Sequence, residues 1–204
     1  MHFDTIESQL RTGDLLLFSG KSWTSEGIKQ LTASFWSHVG LVWRITEGPH
    51  AGTLAVWEST TLADLVDLDT DTAHPGVQRV DLRARLGACL AAGYRVGVRQ
   101  LSEPLDAPRL EALEALRVEL VGRPYEEGQL ELLCAVYEGA FGDNEANLDS
   151  LFCSELVAEA YQRMGLLDVT HASNEFTPRD FSSVRKLRLR DGLRLSNQVR
   201  ITAV

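Results

Sequence analysis

Cysteine is scarce. Three thiols in 204 residues (Cys89, Cys134 and Cys153) are an odd number without a local pairing pattern. That excludes a disulfide-stapled scaffold and fits a reducing compartment. Positive charge is also short, with 20 Lys and Arg against 29 Asp and Glu and a net charge of −9. Nucleic acid is therefore not the expected partner. The most basic stretch, RKLRLRDGLR at 185–194, alternates with leucine and reads as a surface strand rather than a phosphate-binding patch. No apolar run is long enough to span a bilayer, so no integral membrane segment is expected. The opening MHFDTIESQLRTGD lacks the cationic, apolar and small-residue succession of a secretory signal, which makes a cytoplasmic location the expectation. No internal repeat, low-complexity tract or linker divides the chain, so residues 1–204 are expected to form a single domain.

Apolar residues are plentiful, at 44% against 24% charged, enough for a sizeable core. GDLLLFSG (13–20) is a Gly-Asp turn followed by a buried strand, and TSEGIKQLTASF (24–35) is a capped helix. SHVGLVWRI (37–45) has period two: His38, Gly40 and Val42 share one face, and Val39, Leu41 and Trp43 the other. The turn EGPHAG (47–52) leads to a returning strand, TLAVWEST (53–60). Residues 61–75 are acidic and irregular and read as a surface loop. Strands follow at 76–82 and 94–101, with a short helix, RARLGACLAAG, between them. DAPRLEALEALRVELVG (106–122) has Pro near its start, leucines at helical spacing and Gly at its end, the signature of a helix. A further helix is expected after 123, then a polar loop, and then LDSLFCSELVAEAYQRMG (148–165). The tail reads as loop with one or two edge strands. The sum is an α+β fold, an antiparallel sheet with helices gathered on one side.

Three side chains stand out. Cys153 sits where the 148–165 helix starts, and the positive end of a helix favours a thiolate. It also shares a face with Leu156, Val157, Ala160 and Met164, so an inert buried thiol is the plainer reading. A thiolate nucleophile needs a base, usually His held by a third polar group. Of the five histidines, His2 is terminal, His50 and His74 lie in turns, and His171 follows the helix in a polar loop. Only His38 lies in a strand, where a satisfied structural role is the plainer alternative. Glu58 is a carboxylate in the apolar strand expected to pair with that of His38. It is either a solvent-facing edge residue or the group that fixes the His38 tautomer. Each signal is weak alone, but together they fit one geometry: thiolate at a helix start, imidazole on a strand, carboxylate on the next strand.

The succession GDLLLF, SHVGLV, VWEST, GRPYE and FCSELVAEAY resembles the circularly permuted papain-like proteins of the NlpC type, in their YiiX-like branch. The resemblance runs from about Gly13 to Met164. It implies a papain-like antiparallel sheet or barrel packed against helices. It also implies Cys153 as nucleophile, His38 as general base and acid, and Glu58 as the residue that orients His38. Tyr125 in GRPYE matches a position that lines the cleft or assists the oxyanion. The Cys153 backbone N–H, at a helix start, is a second oxyanion candidate. Asp14 is expected to be a structural strand-entry residue. Cys89, Cys134 and the tryptophans Trp23, Trp36 and Trp57 are expected to be packing residues, with Trp36 close enough to His38 to border a groove. The acidic segments 64–71 and 138–149 could wall the cleft and favour a cationic or amine-bearing substrate.

The leading expectation is a cysteine peptidase or amidase that cleaves an amide in a peptide or peptidoglycan-like substrate, with no cofactor. A lecithin–retinol-type acyltransferase or lipid hydrolase uses the same Cys-His logic, and a binding module that lost turnover is the non-enzymatic alternative. A zinc site of His38, Glu58 and Cys153 has suitable ligand types but no close-spaced ligand pair such as CxxC or HExxH. Oligomeric state is not legible.

Overall fold

The computed structural model describes residues 1–21, 23–124 and 153–204. These residues build an α+β fold around a six-stranded, wholly antiparallel sheet. In chain order the strands are β1 (Leu15–Ser19), β2 (His38–Arg44), β3 (Leu54–Thr60), β4 (Gly76–Asp81), β5 (Arg95–Arg99) and β6 (Val199–Ile201). In space they run β4-β3-β2-β1-β5-β6. The helices are α1 (Trp23–Leu31), α2 (Leu82–Ala91), α3 (Ala107–Leu120) and α4 (Cys153–Arg163).

β1 reads as an unbroken apolar run because it is central and covered on both faces. Leu15 and Leu17 enter one core layer, and Leu16 and Phe18 the other. Its entry is fastened by Asp14, a buried carboxylate that accepts from the Arg11 N–H and the Leu101 N–H, each at 2.9 Å. Two backbone donors satisfy an ion that would be costly to bury alone. The β2–β3 hairpin closes through Ile45 N–H to Thr53 O at 3.0 Å and Gly52 N–H to Ile45 O at 2.8 Å. Its register sets Leu41 across from Trp57 and Val42 across from Val56.

The helices do not gather on one side. α3 and α4 cover one face, where Leu113, Leu116, Leu156, Val157 and Tyr161 pack on Leu17, Leu41 and Trp57. α2 and the N-terminal 3-10 turns cover the other, where Leu82, Leu86, Phe3 and Leu10 pack on Leu16, Val42 and Val80. The strands are apolar on both faces, so a helix layer on one side only would leave half of that surface in water. α2 is started by Asp81, whose carboxylate accepts from the Ala84 N–H at 2.8 Å, and α3 by Asp106, with Pro108 in the first turn.

The tail also departs from expectation. Residues 185–194 form no strand. Leu187 and Leu189 turn inward against the core, and Leu193 is buried, so the leucine alternation serves packing rather than pairing. The edge strand of the tail is β6, on β5.

Candidate active site

His38 is the first residue of β2 and Glu58 lies on β3. The hairpin register places Gly40, not His38, beside Glu58, so the two side chains are diagonal neighbours on one face. A diagonal pair is within reach of long side chains. His38 Nε2 and Glu58 Oε2 are 2.6 Å apart. Gly40 makes the approach feasible: a Cβ there would lie 2.7 Å from Val56 Cγ2 and 3.4 Å from Glu58 Cβ. The period-two reading of both strands holds, and a hairpin brings these two residues together.

Cys153 opens α4. The rest of the helix is seated by its apolar stripe and by Tyr161, whose hydroxyl donates to Gly13 O at 2.7 Å and so ties α4 to the entry of β1. The Cys153 thiol is half-buried, lines the same cleft as His38 and is electrostatically coupled to it. Because Glu58 engages Nε2, Nδ1 is the nitrogen left for the sulfur. The backbone amides of Val39 and Ser154 favour a charged sulfur. Registered pairing of β2 with β3 begins only at Leu41↔Trp57, so the first residues of β2 run ahead of the ladder, where α4 meets them.

Burial works against a charged sulfur here. The coupling to His38 and the two backbone amides outweigh it, and the thiol is held below its ordinary value. Burial likewise opposes a charged imidazole, but the Cys153 sulfur and then Glu58 push His38 up to about 10. Each charge therefore favours the other, drawing the sulfur toward thiolate and the imidazole toward imidazolium. Burial would raise Glu58, yet hydrogen bonding to His38 and the nearby Arg85 charge hold it below the usual carboxylate range.

Arg85 was not among the expected site residues. Its guanidinium is buried, donates from Nε to Glu58 Oε1 at 2.7 Å and pairs through Nη1 with Asp64 Oδ1 at 2.7 Å. A signal was available, because Arg85 interrupts the α2 stripe of Leu82, Leu86 and Cys89. An arginine in an apolar stripe implies a buried anion to meet it.

These groups line a cleft of about 230 Å³ on the α2 side of the sheet, between α1 and the end of β3. Phe18, Ile28, Leu62 and Tyr94 make its apolar wall. Cys89 lies at its floor as a buried thiol that burial pushes up to about 12, an inert neutral group. Trp36 does not border the cleft. It packs in the opposite core layer against Gly97, where a Cβ would come within 2.9 Å of the ring. Trp57 is core, edge-to-face with Trp43. The 64–71 segment is no acidic wall: Asp64 pairs with Arg85, and Asp69 with Arg79 and Arg117. Asp67 is buried and accepts from the Arg79 N–H, the Asp69 N–H and the Thr70 hydroxyl. Tyr125, Cys134 and the 138–149 segment lie outside the described residues.

No family model and no curated protein matches the sequence. Among solved structures the chain is similar to the crystal structure of metalloprotein yiiX from Escherichia coli O157:H7. The TM-score is 0.52 and the identity 20%, over 76% of this chain and 67% of that one. At that identity the likeness establishes a shared YiiX-like fold.

Proposed function

We propose that this protein is a cysteine hydrolase acting on an amide bond of a peptide or another small amide-bearing substrate. The observation that carries the reading is the continuous relay from sulfur to carboxylate. Cys153 and His38 line one cleft and are electrostatically coupled, and His38 Nε2 lies 2.6 Å from a buried Glu58 carboxylate on the same cleft. In the first half-reaction the Cys153 sulfur forms a bond to the substrate carbonyl carbon. His38 gives its Nδ1 proton to the leaving nitrogen as the C–N bond breaks, leaving an acyl thioester. In the second half, neutral His38 takes a proton from water. The resulting hydroxide adds to the thioester carbon, the C–S bond breaks, and thiolate and imidazolium are restored. Glu58 keeps the imidazole in the tautomer that both halves require.

Metal chemistry is not routed through this site. The fold neighbour is described as a metalloprotein, but both Glu58 oxygens are already engaged, one by His38 and one by Arg85. Among the described residues no group of three His, Cys, Asp or Glu side chains is placed to hold an ion. The donor set does not fit one. No described helix is long and apolar enough to cross a membrane.

The test is hydrolysis of a panel of amide and peptide substrates, cell-wall peptides included, by the protein and by its Cys153→Ala and His38→Ala variants. Turnover that falls at least a thousandfold in both supports the reading, and either variant retaining full turnover sinks it. The apolar wall of Phe18, Ile28, Leu62 and Tyr94 favours a second reading, acyl transfer or hydrolysis on a lipid ester. Release or transfer of label from an acyl-labelled phospholipid, without amide turnover, would select it.

A further inference from the structure

We propose that Arg85 is a positioning residue of this site, which holds Glu58 ionised and turned toward His38 and thereby keeps Cys153 reactive below neutral pH. The inference rests on the thiolate–imidazolium reading of Cys153 and His38. Glu58 stands on a sheet face it shares with Val42, Val56 and Val80. A lone carboxyl in such a place takes up a proton. Protonated Glu58 would keep only a neutral carbonyl oxygen for the His38 Nε2–H and would lose the charge that stabilises an imidazolium. The Arg85 Nε–H on Glu58 Oε1 prevents the protonation in two ways. It supplies the neutralising charge, and it fixes the carboxylate plane so that Oε2 faces Nε2.

The rest of the guanidinium points the same way. Packing does not call for a charge at this position, since Leu82, Leu86 and Cys89 complete the stripe. Burying an arginine is costly unless its partners are fixed. Nη1 holds Asp64, so the same side chain fastens the segment after β3 to the site, while Nη2 has no partner among the described residues. The titratable and charged groups around Arg85 are Glu58 from β3, Asp64 from the segment after it and Cys89 from α2 itself. Beyond Glu58 stand His38 from β2 and Cys153 from α4. Asp64 competes with Glu58 for the fork but is half in solvent, whereas Glu58 is buried. The buried partner gains more from the charge.

The experiment follows iodoacetamide alkylation of Cys153 by peptide mass spectrometry from pH 5 to 10, in the full chain and in Arg85→Gln and Arg85→Lys variants whose folding is checked by circular dichroism. Cys89 is the internal reference. Wild-type Cys153 is expected to outpace Cys89 already at pH 6. Arg85→Gln should slow Cys153 about tenfold at pH 6, one pH unit of its acid limb, with the rates converging above pH 9. Arg85→Lys keeps the cation but loses the two-carboxylate fork and should fall between the two. A folded Arg85→Gln with an unchanged profile, or one slowed equally at every pH, overturns the proposal. Should Arg85→Gln not fold, Arg85→Lys decides: an unchanged acid limb overturns the proposal, and a limb moved to higher pH supports it. A wild-type Cys153 no faster than Cys89 overturns the hydrolase reading itself, and this inference with it.

Discussion

At the scale of single residues the site is a chain of charges of alternating sign: sulfur, imidazolium, carboxylate and guanidinium. Each is tolerable in a buried place only because of the next. The thiol is held below its ordinary value and His38 is pushed up to about 10. Turnover should rise with pH through the lowered thiol value and fall only as pH passes about 10, where His38 loses the proton it must give to the leaving group. A pH–rate profile on any accepted substrate checks this, and a decline starting near pH 7 would contradict it. Cys153, His38 and Glu58 were singled out from the order of motifs along the chain, and the folded chain places all three on one cleft. Arg85 breaks the apolar stripe of its helix, but what it meets lies 27 residues away in sequence, and no local rule names that partner.

The elements contribute placement. The hairpin puts His38 and Glu58 on one face by alternation alone, and the diagonal offset makes Gly40 the residue between them. Gly40→Ala inserts a methyl 2.7 Å from Val56 Cγ2, and one of the two must shift. The expected cost is about 1–3 kcal/mol in chemical denaturation. Cys153 alkylation at pH 6 should slow as well, because the shift separates the His38–Glu58 pair. A variant as stable and as reactive as wild type would show that the hairpin has slack at this point. The ends of α3 were legible from Pro108 and Gly122, because such signals act over one turn, whereas Asp81, read as part of a strand, caps α2. The stretch at 185–194 was misread because leucine alternation signals burial of one face as well as strand pairing. Its inward leucines have core to fill but no neighbouring strand.

For the whole molecule, the two-faced sheet sets both stability and its pH dependence. Glu58 has a folded value below that of the unfolded chain. Its stabilisation is therefore complete above the ordinary glutamate value, about 4.3, and is lost as pH falls through the folded value. Thermal melts should show a Tm that drops below about pH 4, and Glu58→Gln, less stable at neutral pH with Arg85 left unanswered, should lose less over that range. Parallel acid limbs would remove Glu58 from the acid response. Strand alternation, helix caps and the order of the motifs depend on neighbours a few residues apart, and these were readable from the chain alone. They located β2, β3 and α3 and singled out the thiol, the imidazole and the carboxylate. Which face of α2 meets which strand, how far β2 runs ahead of β3, and where the acidic side chains of 64–71 point are settled by contacts between elements distant in sequence. That is why helices on both faces, the buried Arg85 behind Glu58 and the apolar wall of Phe18, Ile28, Leu62 and Tyr94 among the described residues emerged only from the folded chain.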